Sequence, residues 1–141
     1  MSNKKAHILV VDDESFYTDV LQNLLREDYH VTIAQSGEDA LRRVKEETLP
    51  DLIMLDILLP GIDGYEVCRQ LKNDPVTSAI PVIFLTVKSD VDDEVRGFHL
   101  GAVDYITKPM SPPIVKARTA THIKLSRLIK QLEAMLNELR S

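Results

Sequence analysis

Residues 51–64 read Asp-Leu-Ile-Met-Leu-Asp-Ile-Leu-Leu-Pro-Gly-Ile-Asp-Gly. Pro50 precedes Asp51–Leu55, an apolar run that is strand-sized and too short for a helix. An acid, Asp56, stands directly after it. A loop rich in turn formers follows, with Pro60, Gly61, Asp63 and Gly64. From about Tyr65 to Lys72 the pattern becomes helical, and it stops before Pro75. Strand, acid, loop and helix in this order form the repeating unit of a parallel sheet.

The unit recurs on both sides. His7–Val11 is a first strand, and the segment from Glu14 to Glu27 puts Tyr17, Val20, Leu21, Leu24 and Leu25 on one helical face. His30–Ala34 is β-branched and reads as a second strand. Ser36-Gly37-Glu38-Asp39 carries a capping signal for a helix through Ala40, Leu41 and Val44. Ile80–Leu85 is the fourth strand, with Pro81 at its start, where a missing N–H does least harm. Ser89 and Asp92 suggest a helix start and Gly101 a stop. Ala102–Ile106 is the fifth strand, and Pro112 and Pro113 open a last helix. The expected fold is α/β, (βα)5, a doubly wound parallel sheet with helices on both faces. Its strands are apolar nearly throughout, as strands covered on both faces should be.

Composition agrees with one such domain. The 141 residues are 44% hydrophobic and 28% charged, which excludes a disordered chain. Aromatics are 5% and Trp is absent, so the core is aliphatic. A net charge of −5 argues against direct nucleic-acid binding. A single cysteine, Cys68, excludes an intramolecular disulfide and reads as a core residue. His7, His30, His99 and His122 show no metal-ligand spacing. No apolar run approaches a membrane span, and the run after Lys5 is too short for a signal peptide. The expectation is a cytoplasmic protein without membrane contact. Charge is uneven: residues 1–113 carry 11 Lys and Arg against 20 Asp and Glu, and residues 114–141 carry six against two.

Ligands of open parallel sheets bind beyond the carboxyl ends of the strands. There stand Asp12 and Asp13 after strand one, Asp56 after strand three, Thr86 after strand four, and Lys108 with Pro109 after strand five. Taken singly, each is an ordinary turn or cap residue; together they occupy four strand ends. Three converging carboxylates need a counter-charge. A hard cation such as magnesium supplies one, usually through one or two carboxylates plus waters and phosphate oxygens. With Lys108 and the Thr86 hydroxyl, this makes a cradle for a phosphoryl group, and the central carboxylate is a candidate nucleophile.

Val10-Val11-Asp12-Asp13-Glu14, Asp56 to Gly64, Phe84-Leu85-Thr86 and Tyr105-Ile106-Thr107-Lys108-Pro109 resemble the receiver domain of bacterial two-component response regulators, over about residues 6–120. The resemblance implies a flavodoxin-like fold with strand order 2-1-3-4-5. It implies that Asp56 is the phosphoacceptor, and that Asp12, Asp13, Asp56 and the backbone carbonyl of Leu58 hold Mg2+. It implies that Lys108, joined to Pro109 by a cis bond, pairs with the phosphoryl oxygens, and that Thr86 hydrogen-bonds them. Tyr105 then swings inward as the second switch residue, and helix four, strand five and helix five form the reading face. The phosphodonor is a sensor histidine kinase or phosphotransfer protein. Such a domain catalyses its own phosphorylation but turns over no metabolite. Three departures from the family pattern involve four positions. Leu59 stands where Met is common and Val87 where Ala or Gly is usual. Leu58 and Lys88 flank the site, and Leu58 cannot orient a water, so slow dephosphorylation is expected.

Other readings fit less well. A haloacid-dehalogenase-type phosphohydrolase needs an acid two residues after its nucleophile, where Leu58 stands. A nucleotide or flavin domain needs a Gly-rich loop, and the loop after strand one is acidic. A phosphorylation-independent interaction module leaves the complete set of site residues without a purpose.

Residues 114–140 contain no Gly or Pro, so the last helix is about 40 Å long at 1.5 Å per residue. The receiver domain is placed at 1–120, and 121–141 extends its helix. Leu125, Leu128, Leu132, Met135 and Leu139 follow 3-4-3-4 spacing, widened by Ile129 and Leu136. Folding back on the domain is one outcome. The expected one is a homodimer through this seam, or a linker to an output domain. Pro112 to Arg118 and the helix after it look like the linkers that lead into cyclic-dinucleotide enzymes.

Overall fold

The computed structural model describes residues 5–87 and 91–141, with the backbone alone at 91–93. The elements run β1 (His7–Val11), α1 (Ser15–Leu25), β2 (His30–Ala34), α2 (Gly37–Glu46), β3 (Leu52–Asp56), α3 (Gly64–Asn73), β4 (Val82–Thr86), α4 (Val91–His99), β5 (Asp104–Thr107) and α5 (Pro112–Arg140). Lys88 and Ser89 lie outside the described residues, as does the side chain of Asp92, so the expected cap of α4 is not among them.

All strand pairs are parallel, in the order β2-β1-β3-β4-β5, as expected. Strand alternation divides the apolar residues between two faces. Leu9, Val11, Ile53, Leu55 and Phe84 pack on one side with Ala40 and Val44 of α2 and Val67, Cys68 and Leu71 of α3. Ile8, Val10, Met54, Ile83 and Leu85 pack on the other with Leu21 and Leu25 of α1 and Val115 and Ile123 of α5. Every residue of β3 is buried, Asp56 included, because β3 is the central strand with helices on both sides.

Three strand boundaries differ from the sequence reading. Asp51 lies outside β3 because it ties the chain to β1: its N–H donates to the His7 carbonyl at 2.7 Å and its carboxylate accepts the His7 N–H at 2.7 Å. β4 begins after Pro81, which has no N–H, although the Pro81 carbonyl still accepts from Ile53 at 3.0 Å. β5 begins at Asp104 because Ala102 closes α4. The Ala102 N–H donates to the Gly97 carbonyl and the Gly101 N–H to Phe98, both at 3.0 Å, with Gly101 at φ +106. This is the paired C-terminal hydrogen bonding of a Schellman motif.

Candidate functional site

Strand order reverses between β1 and β3, the switch point beyond whose carboxyl ends ligands of such sheets bind. Asp12 follows β1 and extends its ladder, its N–H donating to the Ala34 carbonyl at 3.1 Å. Its Oδ1 accepts the Glu14 N–H at 3.0 Å, which fixes the turn into α1. Asp56 ends β3, and its Oδ1 accepts the Leu58 N–H at 3.3 Å. Gly64 lets the returning loop pass close beneath it, since a Cβ there would lie 2.3 Å from the Asp56 carbonyl oxygen. Lys108 follows β5, its N–H donating to the Thr86 carbonyl at 2.6 Å and its bond to Pro109 cis.

These placements bring the charges together. Lys108 Nζ lies 2.9 Å from Asp12 Oδ2, 3.3 Å from Asp56 Oδ2 and 3.6 Å from Glu14 Oε1. Asp12, Asp56 and Lys108 are all buried. One oxygen each from Asp12, Asp13, Glu14 and Asp56 falls within 4.8 Å of the others, with Asp13 and Glu14 at the exposed mouth. Burial first, and the charge of Asp12 second, push the Asp56 carboxyl up to about 6, against the pull of Lys108 and the Leu58 N–H. Burial works against the Lys108 charge, but Asp12 and Asp56 outweigh it and raise that pKa. Asp12 Oδ2 and Lys108 Nζ have no partner in hydrogen-bond geometry among the described residues, although they meet as an ion pair. Buried polar atoms with unused bonding capacity are costly to keep. Their oxygen-rich, singly neutralised surroundings fit a hard divalent cation and a phosphoryl group.

Asp12, Asp13 and Asp56 therefore stand together with Lys108, and Thr86 lies half-buried at the adjacent strand end. Leu58 points outward, 70% exposed, and Val87 is 60% exposed. Tyr105 is already inward: its ring is buried, T-stacked on Phe98 at 5.3 Å and near Phe84 at 5.7 Å, and its hydroxyl donates to the Glu94 carbonyl at 3.0 Å. This is the inward position that the family resemblance assigns to the switch residue. The room comes from Gly97 of α4, where a Cβ would lie 1.9 Å from the Tyr105 hydroxyl oxygen.

The sequence reading missed two members of the site. Glu14 reads as the start of a helix, and Tyr17 as part of an apolar stripe. The Lys108 ammonium sits 4.2 Å from the Tyr17 ring centroid. The Asp-Asp-Glu run at 12–14 signals the first; only the position of Tyr17 one helical turn after the acids hints at the second.

A parallel sheet with this strand order and an acid–lysine cluster at its switch point defines a flavodoxin-like signalling domain. The chain belongs to the response regulator receiver domain family, which matches residues 8–120. It is 44% identical over 137 residues to the alkaline phosphatase synthesis transcriptional regulatory protein PhoP of Bacillus subtilis, covering 96% of this chain and 55% of that protein. It is 45% identical over 120 residues to a Vibrio cholerae protein named "Probable cyclic di-GMP phosphodiesterase", covering 85% of this chain and 27% of that one. The solved structure of the BeF3-activated DrrB receiver domain superposes with a TM-score of 0.74 at 36% identity, covering 85% of this chain and 98% of that one. The chain thus spans about half or less of the length of these curated relatives.

The C-terminal helix departs from the rest. α5 buries Val115, Thr119 and Ile123, and nothing after them. Leu125, Leu128, Leu132, Met135 and Leu139 are 48–83% exposed, with Ile129 and Leu136 beside them. The helix does not fold back: it continues past the sheet, tethered by Lys130 Nζ at 3.6 Å from Asp51. No helix among the described residues is long and apolar enough to cross a membrane.

Proposed function

We propose that the domain accepts a phosphoryl group on Asp56 from a phosphohistidine of a sensor histidine kinase or phosphotransfer protein. The observation that carries this reading is the buried Asp12–Lys108–Asp56 cluster with its unfilled bonding capacity. An Asp56 carboxylate oxygen attacks phosphorus, and the phosphorus–nitrogen bond to the donor imidazole breaks. The bonding pair leaves with the nitrogen, which takes a proton from water. Asp12, Asp13, Asp56 and the Leu58 carbonyl would hold Mg2+, with Glu14 close by. When bound, the metal neutralises the acids and draws charge from the phosphoryl oxygens. Lys108 is aimed to follow those oxygens, and the Thr86 hydroxyl to donate to one. The domain catalyses this transfer on itself and releases phosphate slowly, because Leu58 offers no group to orient a water and the bulk of Val87 narrows access to the phosphoryl site.

The added charge of roughly −1.5 to −2 favours whichever arrangement of α4, β5 and α5 pairs with it best. Thr86 and Tyr105 are the switch residues of that face. Its output is dimerisation through the Leu125–Leu139 seam, or control of a linked output domain. The named relatives point to two kinds of output, transcriptional control and a cyclic-dinucleotide enzyme. The test is incubation with magnesium and a small phosphodonor, read by intact mass. Wild type gains one phosphoryl group and Asp56→Asn gains none. Equal gain in both, or no gain in wild type, overturns the assignment.

A further inference from the structure

Tyr17 lies on α1, which packs against the sheet face opposite α2 and α3, and its ring is half-buried beneath the site. The Lys108 ammonium lies 4.2 Å from the ring centroid. Around the same ammonium are Asp12 Oδ2 at 2.9 Å, Asp56 Oδ2 at 3.3 Å and Glu14 Oε1 at 3.6 Å. Its nitrogen has no hydrogen-bond geometry with any of them. A lysine carries its charge on a flexible four-carbon stem. Coulomb attraction to three carboxylates has little directionality, so it does not by itself fix where the ammonium rests. An aromatic face does, because the attraction is strongest over the ring and acts without an anion.

We infer that Tyr17 is a positioning residue: its ring face holds the Lys108 ammonium level with the Asp56 carboxylate, ready for an incoming phosphoryl group. The inference rests on the phosphoacceptor reading of Asp56. The neutral ring does not compete for the metal or for the phosphoryl oxygens. It therefore keeps its hold while Lys108 exchanges Asp12 for the phosphoryl group. Lys108 already pairs with Asp12 at 2.9 Å, so each transfer has to break that pair; without the ring, the freed ammonium has no neutral contact to keep it beside Asp56 while it does so. The hydroxyl has no part in this, so phenylalanine at position 17 is equivalent.

Two measurements on the full chain test it. The first is the NMR shift of the Lys108 ε-methylene protons. A ring face at this distance moves them upfield in the wild type; Tyr17→Phe keeps the shift and Tyr17→Leu loses it. The second is the rate of Asp56 phosphorylation by acetyl phosphate with saturating magnesium, followed by intact mass. A desolvated cation–π contact is worth roughly tenfold in rate. Tyr17→Leu is expected to be about tenfold slower, and Tyr17→Phe to restore the rate to within about twofold. An unshifted Lys108 resonance in the folded wild type overturns the inference without any variant. So does a Tyr17→Leu rate within twofold of wild type, or a Tyr17→Phe rate as low as that of Tyr17→Leu. If wild type takes up no phosphoryl group, the phosphoacceptor reading fails, and the ring-current shift still decides the contact.

Discussion

The carboxyl end of the sheet and the far half of α5 break opposite rules. The sheet end buries three charges, Asp12, Asp56 and Lys108. The helix exposes a seam of seven large apolar residues. A self-sufficient domain would do neither, since isolated buried charge and a bare apolar stripe are both unfavourable. On the proposed function, each departure marks a place where something outside the chain completes the structure: charge at the first, in a cation and a phosphoryl group, and apolar surface at the second. Between the two runs β5, whose Tyr105 bonds α4 through its hydroxyl and accepts a hydrogen bond from Arg118 of α5 through its carbonyl.

The contrast can be broken most forcefully at Lys108. Lys108→Ala leaves Asp12 and Asp56 buried without a counter-charge, and is expected to lower stability by about 3–5 kcal/mol at pH 7 without magnesium. The loss, read from urea midpoints, should shrink at pH 5, where Asp56 is protonated. A loss under about 1 kcal/mol would mean that the cluster is not dry.

Asp56→Asn should act in the opposite direction. The folded pKa of Asp56, about 6, lies above its ordinary 3.8. The folded state thus holds the proton more tightly, so wild-type stability falls as pH rises from about 4 to about 6 and is level above. A shift of two units is worth about 3 kcal/mol. Without magnesium, Asp56→Asn is expected to be more stable than wild type at pH 7 by about that amount and nearly equal at pH 4. A variant less stable than wild type at pH 7 would contradict the electrostatic reading.

Gly97→Ala tests the link between the two regions. In an exposed helix this change stabilises by about 1 kcal/mol. Here the new Cβ meets the Tyr105 hydroxyl, so the expected result is a net loss of about 1–3 kcal/mol or an outward Tyr105, seen in its ring resonances. At the seam the effect on stability is smallest. Leu132→Glu should change monomer stability by less than about 0.5 kcal/mol, and the proposed seam dimer predicts a two-chain mass by light scattering for wild type against a one-chain mass for this variant. By contrast, Ile123→Ala, two residues before the seam and buried, should cost about 2–4 kcal/mol.

Much of this was legible beforehand. The five apolar runs and the polar residues ending them place Asp12, Asp13, Asp56, Thr86 and Lys108 at one edge, because a buried parallel strand leaves its carboxyl end as the only position for a functional acid. The seam was legible because 3-4-3-4 spacing over a stretch without Gly or Pro has few other meanings. What escaped depends on contacts between segments distant in sequence. Tyr17 reads as a core aromatic until Lys108 is brought over its ring. Tyr105 is expected inward as a switch residue, but the room it occupies there comes from Gly97 of α4, which the sequence does not signal. The start of β5 is set by hydrogen bonds that close α4, not by the apolarity of Ala102.

The central claim is that the buried-charge end awaits a phosphoryl group on Asp56. Its most direct test is the calorimetric midpoint of wild type and Asp56→Asn, each with and without magnesium and beryllofluoride, a phosphoryl mimic. At a hundredfold excess over Kd, binding is worth about 2.7 kcal/mol, a rise of several degrees. That rise is expected in the wild type and absent in Asp56→Asn. An equal rise in both, or none in the wild type, would contradict it.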